Sequence, residues 1–121
     1  MNLNEIIAIV EGTVLAGMDK VNREIPYCGA SDLMSDVLTF SRPEALLVTG
    51  LTNAHVIRTA EMADLSAIIF VRGKQPGPDV VAMAEEKRIP LAASPLTMFE
   101  MCGRLYREGL LSCESPVLDL E

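Results

Sequence analysis

The sequence has no tryptophan, one histidine and three cysteines among its 121 residues, and it lacks the common signatures of nucleotide-dependent catalysis. Neither the P-loop pattern G-x-x-x-x-G-K-[ST] nor the dinucleotide fingerprint G-x-G-x-x-G occurs, so the usual phosphate cradles of kinases and dehydrogenases are missing. The nucleophile elbow G-x-S-x-G of α/β-hydrolases is missing as well. We therefore expect a protein that is not an enzyme and that binds no cofactor.

Clusters of basic residues are also missing. The net charge is −7, and the nearest approach to a basic cluster is the pair Lys87 and Arg88. Proteins that bind nucleic acid normally carry clustered cations that displace counterions from phosphate. No apolar run approaches the roughly 18 residues that a membrane span needs. We therefore expect neither nucleic acid nor a membrane as a partner.

The cysteines Cys28, Cys102 and Cys113 are odd in number and lack C-x-x-C spacing, which argues against a metal site and against a disulfide framework. They are typical of reduced thiols in the cytoplasm. The N-terminus has no signal-peptide pattern, because Asn2 and Glu5 interrupt its apolar residues. The sequence therefore predicts a soluble, cytoplasmic protein.

The second half of the chain repeats one pattern three times: a short apolar run, a turn, and a stretch with helical periodicity. The apolar runs are 45–49, 67–71 and 90–93, and the helical stretches begin near Ala54, Pro78 and Met98. Apolar runs without polar alternation are typical of strands buried on both faces of a parallel sheet that helices cover. We predict an α/β fold with three layers, α/β/α, around a mainly parallel sheet.

The first half begins with a short amphipathic helix. Apolar residues recur at helical spacing from Leu3 to Val10. Asn2 is placed to cap this helix and Gly12 is placed to end it.

Between this helix and the first apolar run, the signals are weaker. Brief strands are predicted at 13–16 and 24–28, around a turn at Gly17. A second helix, capped by Ser31 or Asp32, is predicted to extend to Phe40.

The last helix has the clearest start. Thr97 and Glu100 match the S/T-x-x-E capping box, in which each side chain accepts a hydrogen bond from a free backbone N–H. Its apolar stripe is predicted to contain Phe99, Cys102, Leu105 and Tyr106. Gly109 is predicted to end the helix.

In a parallel sheet, the turns that follow the carboxyl ends of the strands form the usual ligand crevice. We expect binding residues to collect in these turns. The Arg72-Gly73-Lys74 turn offers cations to an acidic ligand, and the free N–H groups after Gly50 favour an anion such as a phosphate. The predicted ligand-binding residues are Ser31, Asp32, Thr49, Gly50, Thr52, Asn53, His55, Arg72, Gly73, Ser94 and Thr97.

Structural roles compete with ligand binding at each of these positions. Thr52 or Asn53 can simply cap a helix, and a lone histidine without a recognisable partner is more often structural than catalytic. An enzyme using Cys28 or His55 with the Asp32 carboxylate is a second hypothesis. It would need a strongly perturbed thiol or imidazole in a cleft.

Half of the residues are hydrophobic, which is high for a small soluble domain and indicates apolar surface covered by a second subunit. A homodimer is therefore expected. The chain has the length of one domain, predicted at 1–111, followed by an acidic tail at 112–121.

The chain resembles the DRTGG domain family. The resemblance extends from about Asn2 to Gly109. In place of the five-letter signature stands Ala30-Ser31-Asp32-Leu33-Met34-Ser35-Asp36, which keeps an acid but lacks the arginine and the paired glycines. The segments that carry the resemblance are 14–17, 21–25, 45–50, 66–73, 84–91 and 94–99.

The resemblance implies an α/β domain similar to the N-terminal domain of HPr kinase/phosphorylase and to modules attached to phosphotransacetylases and CBS-domain pyrophosphatases. It also implies a regulatory and dimerising role, with catalysis on other domains. The leading hypothesis is a non-catalytic, homodimeric regulatory domain that binds a small anionic or nucleotide-like ligand. An interaction subunit of a larger redox or acyl-phosphate enzyme, without a ligand, is the alternative from another class.

Overall fold

The computed structural model describes residues 1–114, in which helices and strands alternate along the chain. The helices are α1 (Leu3–Ile9), α2 (Met34–Phe40), α3 (Ala54–Met62), α4 (Pro78–Glu86) and α5 (Met98–Arg107). The strands are β1 (Thr13–Ala16), β2 (Tyr27–Ala30), β3 (Leu46–Thr49), β4 (Ala67–Phe70), β5 (Leu91–Ala93) and β6 (Leu111–Ser112). A 3₁₀ turn spans Met18–Lys20. The repeated pattern of the second half therefore folds as predicted.

The six strands form one sheet in the order β1-β5-β4-β3-β2-β6. β1 pairs with β5 in the antiparallel direction, and the remaining neighbours are parallel. The predicted α/β fold with a mainly parallel sheet is confirmed. Because β2 to β5 run the same way, the turns that follow them meet at one edge of the sheet.

Helices cover both faces of the sheet. Side chains of α2, α3 and α4 form one core with Leu47, Ile68 and Phe70. Side chains of α1 and α5 form a second core on the opposite face, against Val48 and Ile69. Successive strand residues point to opposite faces, so every residue of β3 and β4 is buried. The predicted three-layer α/β/α arrangement follows.

Asn2 caps α1 as predicted, accepting a hydrogen bond of 2.9 Å from the backbone N–H of Glu5. The end of α1 differs from the prediction, because Glu11 and not Gly12 adopts the left-handed conformation, at φ 56°. The backbone N–H of Gly12 donates to the Ile7 carbonyl at 2.8 Å, which closes the Schellman motif around Glu11. Asp64 and Arg88 adopt the same left-handed conformation at the equivalent positions after α3 and α4.

The prediction for β2 was displaced toward the N-terminus. Residues 24 and 25 bond to the chain start instead of the sheet: Glu24 forms an isolated bridge with Asn2, and the Ile25 N–H donates to the Met1 carbonyl at 2.8 Å. The strand begins only after Pro26, at Tyr27.

The buried face of α5 is rotated around the helix axis by part of a turn from the predicted apolar stripe, so that prediction was wrong in part. Met101 and Leu105 are buried, whereas Phe99 and Tyr106 are exposed. Thr97 caps the helix, but the Glu100 carboxylate accepts from the Arg104 side chain at 3.0 Å, so only half of the capping box forms.

The boundary predicted between the domain and its tail stays a prediction. Ser112 belongs to β6 and Cys113 is buried, while the rest of the predicted tail, 115–121, lies outside the described residues. Within residues 1–114, no helix is long and apolar enough to cross a membrane.

Candidate ligand site at the strand ends

The usual ligand crevice of an α/β sheet lies where neighbouring strands continue into helices on opposite faces. Here that point lies between β4 and β5, because α4 and α5 pack on opposite faces. Two backbone hydrogen bonds bridge it: the Arg72 N–H donates to the Leu96 carbonyl at 2.8 Å, and the Gly73 N–H donates to the Ser94 carbonyl at 2.7 Å. Polar groups converge instead beside it, after β2, β3 and β4.

The Asp32 carboxylate is the centre of this convergence. Its Oδ1 accepts a hydrogen bond of 2.7 Å from the Gly50 N–H and one of 3.0 Å from the Thr49 hydroxyl. The Thr49 hydroxyl in turn accepts from the Leu51 N–H at 3.2 Å. Asp32 was predicted as a possible cap of α2, and that prediction was wrong, because its side chain binds the neighbouring loop.

Ser31 does not cap α2 either. Its hydroxyl accepts from the Leu33 N–H at 3.0 Å and so stabilises the turn before the helix. Leu33 occupies the capping position without a side-chain hydrogen bond. The start of α2 is therefore held to the sheet through Asp32, two residues before its first helical residue, Met34.

Lys74 completes the cluster on the side of β4. Its Nζ donates to the Gly50 carbonyl at 3.2 Å. A methyl group placed on Gly50 would lie 3.4 Å from Asp32 Oδ1 and 3.5 Å from Lys74 Nζ. The carboxylate and the ammonium group thus flank one small position above Gly50. None of the ion pairs found among residues 1–114 includes Asp32 or Lys74.

This arrangement can bind two kinds of ligand group, an anion and a hydroxyl group. The Gly50 N–H and the Lys74 ammonium group can donate to an anion, while the Asp32 carboxylate can accept from a hydroxyl group. Lys74 was not among the predicted ligand-binding residues. The sequence did offer a signal for Lys74, namely the two cations of the Arg72-Gly73-Lys74 turn. Which of the two side chains reaches the Gly50 loop depends on the backbone geometry of that turn.

The other predicted binding residues lie around this cluster, with structural contacts of their own. Asn53 caps α3 by accepting from the His55 N–H at 3.0 Å. Thr97 caps α5. Ser94 is buried, and its hydroxyl donates to the Val10 carbonyl at 2.6 Å.

Thr52 is half-buried, whereas the side chains of His55 and Arg72 are exposed. Arg72 and Gly73 both have positive φ, which shapes the turn that carries Lys74. Of the predicted set, Asp32, Thr49 and Gly50 are therefore in direct contact, and the ligand role of the whole set stays a prediction.

The thiols are poorly suited to nucleophilic chemistry. Burial raises the pKa of Cys28 far above its ordinary value of 9.0, and the nearby Cys102 and Cys113 raise it further. Burial also raises the pKa values of Cys102 and Cys113. Reactive cysteines have lowered pKa values, because the thiolate is the nucleophile. Among residues 1–114, no group of three His, Cys, Asp or Glu side chains is placed to hold a metal ion.

A second concave surface, which sequence reasoning missed, lies beside β6. We call it the β6 groove; it is an open groove of about 1110 Å³ between α2 and the last strand. The apolar and aromatic side chains that line it include Tyr27, Phe40, Tyr106, Leu111 and Cys113. The signal that sequence reasoning missed was the presence of two aromatic residues, Phe40 and Tyr106, near the ends of the helices α2 and α5.

Comparisons with known proteins agree with this architecture. A family model, the DRTGG domain, matches residues 5–107. A search of curated proteins found no match. Among solved structures, the chain is similar to the CBS and DRTGG domains of the regulatory region of Clostridium perfringens pyrophosphatase, complexed with its activator, diadenosine tetraphosphate.

That structural match has a TM-score of 0.70 at 11% sequence identity, and it covers 99% of this chain and 52% of the pyrophosphatase chain. The chain therefore spans about half the length of that structure. At this identity the likeness concerns the fold.

Proposed function

The chain belongs to the DRTGG domain family, and from that membership we propose that it is a non-catalytic regulatory module that senses a small anionic or nucleotide-like ligand at the strand ends. One observation carries the proposal: the Asp32 carboxylate accepts from the Gly50 N–H beside the Lys74 ammonium group. The carboxyl ends of parallel strands are where α/β sheets usually bind ligands, and a backbone N–H beside an ammonium group offers an anion two donors there. In the structure, the Asp32 carboxylate occupies that place.

The same contact supplies a route for a signal. A ligand anion that binds the Gly50 N–H and Lys74 displaces Asp32, which frees the turn at 31–33 and the start of α2. The opposite end of α2 lines the β6 groove through Phe40. A ligand shifts such an equilibrium only as far as it prefers one state, so the displaced state must bind it more tightly.

Support for a nucleotide-like ligand comes from the regulatory region of the Clostridium perfringens pyrophosphatase, whose structure contains diadenosine tetraphosphate as activator. The first experiment is therefore a thermal-shift titration of the purified protein with diadenosine tetraphosphate, ATP, AMP and inorganic phosphate. A ligand at about 100 times its dissociation constant stabilises a fold by about 2.7 kcal/mol, which this assay detects.

Matched variants locate the site. Lys74→Met should abolish the stabilisation, whereas Lys20→Met, at the opposite edge of the sheet, should leave it unchanged. Asp32→Asn keeps an acceptor for the Gly50 N–H but removes the competing charge. Two unit charges about 4 Å apart in water interact by about 1 kcal/mol, so Asp32→Asn should bind the anion roughly fivefold more tightly. If none of the four compounds stabilises the protein, or if Lys74→Met binds normally, the sensing proposal fails.

A non-catalytic role is supported by the raised pKa of Cys28, which removes the thiolate that a Cys28 enzyme would need. We also propose a cytoplasmic location, since three free thiols persist in a reducing compartment. The alternative of an interaction subunit without a ligand is favoured by the aromatic side chains around the β6 groove. It predicts a stable protein complex and no response to any of the four compounds.

A further inference from the structure

Most of the aromatic residues of the chain line the β6 groove. The sequence has three phenylalanines, two tyrosines and no tryptophan. Phe70 is fully buried in the sheet, and Phe99 lies on α5 outside the groove. The other three aromatic residues, Tyr27, Phe40 and Tyr106, all line it. The fold therefore brings rings from three separate elements, β2, α2 and α5, to one concave surface.

Two of these rings are accessible to a ligand. Phe40 and Tyr106 expose 54% and 75% of their surfaces. Tyr27 is half-buried, and the Arg42 guanidinium lies 4.9 Å from its ring centre, so a cation–π contact already covers one of its faces. Exposed aromatic rings are stacking surfaces for planar heterocycles, and nucleobases of every kind stack on them because each has a π-face.

The floor of the groove is formed by small residues. Gly29 of β2 has no side chain, and a methyl group placed on it would lie 2.6 Å from the Cys113 Sγ. The thiol of Cys113 is buried, and burial raises its pKa, so it stays protonated and adds an apolar surface beside Gly29. The open space above them has a volume of about 1110 Å³, similar to the upper range of small-molecule pockets at about 1,000 Å³. A flat ligand therefore has room between the aromatic walls.

Charged groups of both signs line the same groove, namely Arg42, Asp36 and Glu114. None of the three takes part in an ion pair among residues 1–114. The Arg42 guanidinium can donate to phosphate oxygens, and the Asp36 carboxylate can accept from an amino group on a heterocycle. A nucleotide carries both kinds of group beside a flat ring, so its chemistry is complementary to the groove. An inorganic anion would gain nothing from the rings and would be repelled by the two carboxylates.

We propose that the β6 groove is a nucleotide site, in which the base stacks on the rings of Phe40 and Tyr106 and the phosphate group pairs with Arg42. The proposal rests on different residues from the strand-end site and does not depend on it. Helix α2 connects the two places, because Asp32 lies just before its first turn and Phe40 is its last residue.

The two tyrosines allow this site to be observed directly. Because the chain has no tryptophan and both tyrosines line the groove, its intrinsic fluorescence comes from the groove. The test is a fluorescence titration of the purified protein with AMP, adenosine and inorganic phosphate, with free tyrosine as the control for light absorbed by the ligand. AMP and adenosine should quench the fluorescence in a saturable manner, and inorganic phosphate should not.

Matched variants at exposed side chains locate the ligand. Tyr106→Ala, which keeps Tyr27 as the reporter, should raise the dissociation constant of AMP and of adenosine at least about fivefold, as expected for lost base stacking. Phe40→Ala should do the same. Arg42→Gln should weaken AMP about tenfold and should not weaken adenosine, since only AMP carries the phosphate. Phe99→Ala is the control, because Phe99 is an exposed ring on the same helix as Tyr106 but outside the groove.

Three results would overturn the proposal. The first is a lack of saturable quenching by AMP and adenosine, which is the result expected if a second copy of the chain, as in a homodimer, or another protein fills the groove. The second is equal weakening by Phe99→Ala and Tyr106→Ala, which would show stacking on any exposed ring. The third is equal quenching by inorganic phosphate, which would show a response to the anion alone.

Adenosine and inorganic phosphate separate this proposal from the sensing proposal. Lys74→Met should lose the thermal stabilisation by inorganic phosphate and keep the quenching by adenosine. Tyr106→Ala should keep the stabilisation by phosphate and lose the quenching by adenosine.

Discussion

Gly17 and Gly73 have similar backbone conformations but different surroundings, so replacing each by alanine measures the free-energy cost of one close contact. Gly17 and Gly73 have φ values of 73° and 69°, a region that other residues rarely adopt. A methyl group on Gly17 would lie 2.7 Å from the Pro90 Cα, whereas one on Gly73 would have no atom within 4 Å. Gly17→Ala therefore suffers strain and a backbone clash, and Gly73→Ala suffers strain alone.

The magnitudes follow from these two terms. The left-handed conformation costs an alanine about 1–2 kcal/mol, and the stiffer unfolded chain returns about 0.4–1 kcal/mol. Gly73→Ala should thus lose about 1 kcal/mol of unfolding free energy. Overpacking adds about 1–3 kcal/mol at Gly17, since Pro90 precedes β5 and its backbone cannot turn aside. Gly17→Ala should lose about 2–4 kcal/mol.

Urea denaturation, followed by circular dichroism, measures both values. The two variants differ by the overpacking term of about 1–3 kcal/mol, so with a slope of about 1–3 kcal/mol per molar urea the midpoint of Gly17→Ala should lie on the order of 1 M below that of Gly73→Ala. The slope itself should not change. Equal midpoints for the two variants would refute the reasoning, because they would mean that the turn after β1 does not pack on Pro90.

Two further predictions concern the core and the thiols. Ile69→Ala, in the centre of β4, should cost about 2–5 kcal/mol in the same denaturation assay, because it opens a cavity in a packed core, and a loss well below 1 kcal/mol would contradict the central position of the strand. Because burial raises the pKa of Cys28 above its ordinary 9.0, the thiol ionises earlier in the unfolded chain, so its contribution to stability is constant below about pH 9 and falls as the pH rises further. Cys28→Ala should flatten that decline, and an equally steep decline in the variant would show that the thiol is solvated in the folded protein.

The central strands were predictable from sequence because their environment is uniform. Every residue of β3 and β4 is buried, so each strand appears as an uninterrupted apolar run between turns. The caps Asn2 and Thr97 were predictable for a related reason: a cap depends on neighbours two or three residues away along the chain.

The errors arose where contacts are distant in sequence. Asp32 binds Gly50, a residue 18 positions away, and no local pattern distinguishes this contact from a helix cap. β6 has two exposed residues and exists because Leu111 pairs with Tyr27. On α5, Leu105 and Tyr106 are adjacent and both apolar in character, and only the position of the sheet decides which of them is buried. The ligand role of the strand-end residues remains a prediction for the same reason.

The topology of the sheet has a consequence for how the protein assembles in time. Neighbouring strands from β2 to β5 pair over about 20 residues of chain, for example Ile68 with Leu91. The two edges instead pair over about 80 residues, Thr13 with Ala93 and Tyr27 with Leu111. Long loops close slowly, so we expect the centre to form first and the edges to join last. A growing chain on the ribosome cannot pair β6 with β2 before residue 112 has emerged, so the β6 edge is the last part of the sheet to close.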